Sequence, residues 1–210
     1  LLSNKAVEAI QKDLQQLVSK SRYDHSLRVA DTAKQLATRW RVSEGKAFLA
    51  GLVHDSAKSL SPAHELLSHF SELQRFTSFY AQFPSVWHAV FGPVWVTYKW
   101  GITDEVVLRS IKSHTSGKAR MGFLEKIIFV ADYCEPGRPF LEKDFVYELA
   151  KNDLNEAVFC VAWLGLMHLT EAGLPIFEQS FKCYNYYRFK LSASRVSELI
   201  KQLQKVSTHG

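Results

Sequence analysis

The sequence predicts an all-α fold in one domain. Apolar residues recur at three- and four-residue spacing along most of the 210 residues, which is the helical period. No segment alternates apolar and polar side chains with the two-residue period of a half-buried strand. Turn-forming residues, among them Gly101 and the EPGRP segment at 135–139, separate the periodic runs.

The elements follow in order. Residues 5–19 place Ala6, Ile10, Leu14 and Val18 on one stripe, and residues 25–40 do the same with Leu27, Ala30, Ala33 and Ala37. A third helix is expected over 44–58, with Phe48, Leu49, Leu52 and Val53 inward. Residues 63–80 are mixed and suggest one or two short helices. A further helix is expected over 86–98 despite Pro93, ending at Gly101. Residues 103–114 open with Thr103 as N-cap and with Asp104 and Glu105 in the first turn, where carboxylates suit the helix dipole. Helices over 121–134, 143–172 and 192–206 complete the chain, the last following Ser192 or Ser194.

Composition sets the outer bounds. Hydrophobic residues make up 47% and charged residues 22%, so the chain can bury a full core and is not disordered throughout. Net charge is +5, with the basic residues scattered rather than run together, which argues against nucleic acid binding. Three cysteines, Cys134, Cys160 and Cys183, form neither a complete disulfide framework nor a zinc ribbon and point to a reducing, cytoplasmic setting. No leader is visible in LLSNKAVEAIQKD. The most apolar run, Ala157–Leu169, falls short of the roughly 20 residues that a bilayer-spanning helix needs and reads as a buried helix. A start without Met leaves open that the chain is one domain of a longer protein.

The chemistry concentrates in a few residues. His54-Asp55 ends the apolar segment AFLAGLV; alone it is a weak motif, but a carboxylate buried there without a cation is costly. His25 opens the amphipathic run HSLRVADTAKQLA near its inward face. His114 ends another helix at His-Thr-Ser-Gly, Asp132 terminates the apolar IIFVAD, and His88 lies in an equally apolar neighbourhood. Four histidines and two aspartates placed this way point to convergence on a metal. Imidazole with carboxylate suits Fe, Mn or Zn, and the lack of Cys in the set argues against a structural zinc site. The aromatic residues between Phe76 and Trp100 read as core packing, with purine stacking by one of them as the other reading.

The order His25, His54-Asp55, Asp132 resembles the HD-domain metal-dependent phosphohydrolase superfamily. The segments RYDHSLRVADTAKQLA, AGLVHDSAK, WHAVFGPVW, IKSHTSGKARMGFLEKIIFVADYCEPGRPF and YNYY look like its YqeK-type branch, bacterial hydrolases that cleave diadenosine tetraphosphate symmetrically into two ADP. The resemblance covers about residues 20–187. It implies a single HD-type helical bundle over 1–210 with the metal site at its centre. It also implies His25, His54, Asp55 and Asp132 as metal ligands, and His88 and His114 as ligands of a second ion or as phosphate contacts. Asp55 would bridge if two ions bind. Catalytic roles fall to Asp55, Lys58, His88 and His114. Substrate contacts fall to His25, Lys58, His88, His114, Thr115, Gly117 and Arg138.

The implied cofactor is iron, as one or two ions, with Mn or another divalent ion as the alternative. The implied partner is a dinucleoside polyphosphate or ADP-like nucleotide, with no nucleic acid and no membrane. A homodimer, and a fusion to or association with a nicotinate-nucleotide adenylyltransferase, are left open. Two departures stand out: Asp24 where the family usually has Glu, and PIFEQSFKC without the His-Pro often found before YN. Alternative readings are another HD phosphohydrolase, acting as a nucleotidase or cyclic-nucleotide phosphodiesterase, and a non-catalytic nucleotide sensor.

Overall fold

The computed structural model describes residues 3–60 and 73–208. Among these residues there are eleven α-helices, one 3-10 turn and no strand. They are α1 Asn4–Leu17, α2 Lys20–Arg39, α3 Glu44–Val53, the 3-10 turn Ser56–Ser59, α4 Leu73–Gln82, α5 Trp87–Trp100 and α6 Glu105–Ser113. The chain continues through α7 Phe123–Cys134, α8 Lys143–Asn152, α9 Leu154–Glu171, α10 Glu178–Arg188 and α11 Ala193–Thr208. The expectation of an all-α fold is met.

α2, α3 and α7 form the centre, with α6 against α3 and α7, and α5 against α6. Where α2 and α3 pack, Ala30, Ala33 and Ala37 on α2 and Ala47, Ala50 and Gly51 on α3 are all buried. These small side chains let the two backbones approach closely. At Gly51 a Cβ would lie 2.7 Å from Ala30 Cα and 2.9 Å from Ala30 N, so only glycine fits there. α9 packs on α7 and α8 and carries α10 and α11 on its outer side.

Several boundaries differ from the expectation. α2 begins at Lys20 because the Ser19 hydroxyl accepts from Arg22 N; His25 therefore lies in the second turn, not at the helix start. The third helix stops at Val53 instead of 58, and Lys58 belongs to the 3-10 turn that follows Asp55. Asp104, not Thr103, is the N-cap of α6, its carboxylate accepting from Val106 N and Val107 N. The expected helix over 143–172 is two helices. Asp153 leaves the helical conformation at φ −145°, and its carboxylate caps α9 through Asn155 N and Glu156 N.

Helix α10 has no counterpart among the expected elements. The buried helix expected over Ala157–Leu169 is buried through Ala162, after which α9 reaches the surface, with Met167 41% exposed. Of the expected 63–80 element, α4 falls within the described residues, whereas 63–72 lies outside them. Ser192 precedes α11 and accepts from Arg195 N, as expected of a cap. No helix among the described residues is long and apolar enough to cross a membrane.

Candidate metal centre

Five helical elements deliver the six expected ligand candidates to one place. His25 comes from α2, His54 and Asp55 from the end of α3, His88 from the start of α5, His114 from the end of α6 and Asp132 from the last turn of α7. His54, Asp55, His88 and His114 are buried, and the side chains of His25 and Asp132 are 12% and 17% exposed. His25–His54–Asp55, His54–His114–Asp132 and Asp55–His88–His114 each bring ligand atoms within 4.8 Å of one another, overlapping into one cluster able to hold metal.

Local backbone chemistry aims the rings. His54 caps α3, and its Nδ1 lies 2.6 Å from the carbonyl oxygen of Gly51; His114 caps α6, and its Nδ1 lies 2.7 Å from that of Ile111. A carbonyl only accepts, so each Nδ1 carries the proton and each Nε2 lone pair faces inward. The Nε2 atoms of His88 and His114 are 3.0 Å apart, with the Thr115 hydroxyl 3.1 and 2.9 Å from them.

Asp55 touches both halves. Its Oδ1 lies 3.2 Å from His88 Nε2, 3.4 Å from His114 Nε2 and 3.7 Å from His54 Nε2. Its Oδ2 lies 3.9 Å from His25 Nε2 and accepts from Lys58 Nζ at 2.8 Å. Asp132 Oδ1 lies 3.1 Å from His25 Nε2 and 3.7 Å from His54 Nε2.

The donor set fits a divalent cation. His25 Nε2, His54 Nε2 and Asp55 Oδ1 are buried without a hydrogen-bond partner among the described residues, an arrangement that is costly unless a cation completes it. Nitrogen and carboxylate donors in this mix are those of Fe, Mn and Zn.

The remaining predicted residues are placed less uniformly. Lys58 reaches the cluster through Asp55. Arg138 grips Asp132 instead, its Nε donating to the carbonyl oxygen at 2.8 Å and its Nη2 to the carboxylate. Gly117, at φ +61°, spends its N–H on Ser113 O and is wedged on Cys183, so it shapes the turn that carries Thr115. A cleft of about 120 Å³ opens beside the cluster, lined by His114, Thr115, Ser116 and Asp132 and by Val161, Ala162, Gly165, Leu166 and Leu169 of α9. A larger groove of about 720 Å³ runs between α1 and the starts of α3 and α6, and none of the six candidates lines it. Trp87, Phe91 and Trp95 are buried, in keeping with core packing. Among residues that sequence reasoning misses, Glu135 stands out: it is 1% exposed and hydrogen-bonded to His25. Its spacing of three from Asp132 is the available signal.

These environments set a pH dependence. Burial pushes His54 and His88 down to about 4. The unfolded chain therefore takes up protons between about pH 6.5 and 4 that the folded chain refuses, and stability falls as pH drops through that window. Burial also opposes the charge on His25, but Asp132 and Glu135 outweigh it and raise that group. Its contribution is complete below 6.5 and is lost as pH rises, so it offers no compensation on the acid side. Burial raises and neighbouring histidines and cations lower Asp55 and Asp132, with a net shift downward that matters only below the usual carboxylate range. The urea midpoint of metal-free protein is expected to fall steadily from pH 6.5 to 4.5. The loss amounts to a few kcal/mol, since each tenfold difference in proton affinity between the folded and unfolded chain is worth about 1.4 kcal/mol. A flat midpoint would contradict the buried, neutral state of the two rings.

The comparisons agree with this geometry. The HD domain family model matches residues 22–137, a span that contains all six candidates. The symmetrical bis(5'-nucleosyl)-tetraphosphatase of Bacillus subtilis is 35% identical over 173 residues, 82% of this chain and 92% of that protein. A probable nicotinate-nucleotide adenylyltransferase/Ap4A hydrolase of Mycoplasma genitalium is 32% identical over 152 residues, 69% of this chain and 42% of that protein. A crystal structure described as that of a predicted HD superfamily hydrolase involved in NAD metabolism, from Clostridium acetobutylicum, superposes with a TM-score of 0.76 at 30% identity. It covers 88% of this chain and 98% of that one. The chain belongs to the HD-domain family, in the YqeK-type branch to which its tetraphosphatase relatives belong.

Proposed function

We propose that this chain is a metal-dependent hydrolase that cleaves diadenosine tetraphosphate, or a close dinucleoside polyphosphate, symmetrically into two nucleoside diphosphates. The observation that carries the reading is the convergence of four histidines and two aspartates around Asp55 in an HD-domain chain. The name of the Bacillus subtilis relative supplies the substrate class and the symmetry of cleavage. The reading takes residues 1–210 as one HD-type unit.

In this proposal His25, His54, Asp55 and Asp132 would hold one ion, and His88 and His114 would join Asp55 on a second ion or contact phosphate, with iron as the native metal and Mn or another divalent ion as the alternative. Metal bound there supplies Lewis acidity, which activates water and offsets charge on phosphoryl oxygens. The chain's own groups do the rest. Lys58, its side chain 38% exposed and its Nζ beside Asp55, meets a non-bridging phosphoryl oxygen. Arg138 steadies Asp132 and presents the remainder of its guanidinium to the polyphosphate. The Thr115 hydroxyl, within 3.1 Å of two imidazoles, orients a phosphate oxygen or passes a proton. The cleft against α9 receives a nucleoside, its apolar wall facing the base. A nucleoside diphosphate is a stable leaving anion and needs little protonation. The fused Mycoplasma relative supports a working association with an adenylyltransferase, and a homodimer remains part of the proposal.

The test is chromatographic product analysis after incubating anaerobically purified protein with diadenosine tetraphosphate and ferrous or manganous ion. ADP as sole product is expected. AMP with ATP would discard symmetrical cleavage, and nucleotide bound without turnover would replace the enzyme by a sensor. Lys58→Ala is expected to keep its metal and lose about 10²-fold in kcat.

A further inference from the structure

We infer that Glu135 is the positioning residue for His25, holding the ring so that its Nε2 faces the metal cluster, and that Arg28 and Gly137 in turn hold Glu135. The inference rests on the metal-centre reading above.

Glu135 caps the C-terminus of α7, three residues beyond Asp132, and so lies one helical turn along the same helix. Buried to 1% exposure, it collects four donors. Its Oε1 accepts from His25 Nδ1 at 3.0 Å and from Arg28 Nη2 at 3.2 Å. Its Oε2 accepts from Arg28 Nε and from Gly137 N at 2.6 Å. Arg28 stands one turn after His25 on α2, so a single helix face supplies both the ring and the forked cation. With Arg28 and Gly137 donating to both of its oxygens, Glu135 is the acceptor for His25 Nδ1, and Nε2, which faces Asp132 Oδ1 at 3.1 Å, is the ring atom left to offer a lone pair to a cation.

The reason for a side-chain partner is visible in the other rings. His54 and His114 end their helices, where an unclaimed carbonyl three residues back is free to hold each Nδ1. His25 lies within α2, whose carbonyls are engaged in the helical ladder, and so takes its acceptor from another helix. Gly137 completes the arrangement: a Cβ there would lie 2.5 Å from Arg28 Cζ, Nε and Nη2. A side chain at 137 would push the guanidinium off the carboxylate.

The test measures Mn(II) affinity calorimetrically for wild-type chain and for Glu135→Gln, Arg28→Lys and His54→Ala, with thermal melts of the metal-free proteins as fold controls. Long-range ¹H–¹⁵N correlation spectra of the metal-free proteins at pH 9 report the His25 tautomer, which a purely structural role for Glu135 would not move. Glu135→Gln is expected to weaken Mn(II) about 10- to 100-fold, the range for lost outer-shell partners, and to give His25 a population protonated at Nε2, since a glutamine amide can also donate. Arg28→Lys keeps the charge but not the fork and is expected to weaken Mn(II) several-fold; it carries the test alone if Glu135→Gln does not fold. Unchanged affinity and tautomer in a folded Glu135→Gln protein, with His54→Ala weakened, would overturn the inference and leave the metal centre standing. Unchanged affinity in His54→Ala would overturn the metal centre itself, and the inference with it.

Discussion

Asp55→Ala is expected to reduce bound metal to background and to lower turnover by on the order of 10³-fold or more, about 4 kcal/mol or more of barrier. Among the six candidates, Asp55 places carboxylate oxygens within 4 Å of all four histidines. Its removal therefore leaves His25 and His54 sharing only Asp132, and His88 and His114 with no carboxylate within 4 Å among the described residues. Imidazoles alone hold a divalent ion less well than imidazoles with a hard anionic donor. Lys58 also loses its partner at 2.8 Å, so the site loses a fixed cation along with the metal. The measurement is elemental analysis of purified protein beside initial rates on diadenosine tetraphosphate, with circular dichroism to check the fold. Wild-type rates in metal-free Asp55→Ala protein would contradict the assignment.

Gly51→Ala is expected to destabilise the chain by about 3 kcal/mol or more, lowering Tm by roughly 6–12 °C for a chain of this size. Alanine is the better helix former by about 1 kcal/mol, so propensity alone predicts the opposite sign. The clash decides it. The new Cβ would stand 2.7 Å from Ala30 Cα, 2.9 Å from Ala30 N and 3.1 Å from Val29 C, and these are backbone atoms of α2 that cannot rotate away. α2 and α3 must then separate, which moves His25 on one helix away from His54 on the other. Gly51 O also holds His54 Nδ1, so Mn(II) affinity is expected to fall along with stability. Gly165→Ala provides the contrast. It lies in α9 with nothing among the described residues within 4 Å of the added Cβ, and is expected to be neutral or stabilising in a thermal melt. Equal melting temperatures for Gly51→Ala and wild type would show that the helix contact is looser than the backbone distances require.

Much of this was legible from spacing. The stripes Ile10–Leu14–Val18 and Ala30–Ala33–Ala37 are buried as their periodicity requires. The six polar residues that end or interrupt apolar runs do converge. What escaped has physical causes. The apolar period continues across Asn152-Asp153, so only the capping preference of Asp153 marked the break between α8 and α9. Helix α10 buries fully only Cys183 and Tyr187 and leaves Phe181 46% exposed, so its stripe is one residue wide and its outer face is aromatic. Glu135 sits in EPGR, whose Pro and Gly announce a turn and draw attention from a carboxylate at the end of the preceding helix. Its partners, His25 and Arg28, are over a hundred positions away, beyond the reach of any local pattern.

The ends of α3 and α6 have a consequence for the order of assembly. Both helices run with their C-termini towards the cluster, at His54 and His114. Each end carries a partial negative charge of roughly half an electron, which adds to the two aspartates. At the depth of the cluster these ends and the two aspartates favour a cation, whereas Lys58, Arg138 and the start of α5 at His88 favour an anion beside it. A polyphosphate approaching the bare chain meets like charge at the depth where its phosphorus must react. Cation before anion is the order this arrangement favours, so nucleotide affinity is expected to rise with metal supply.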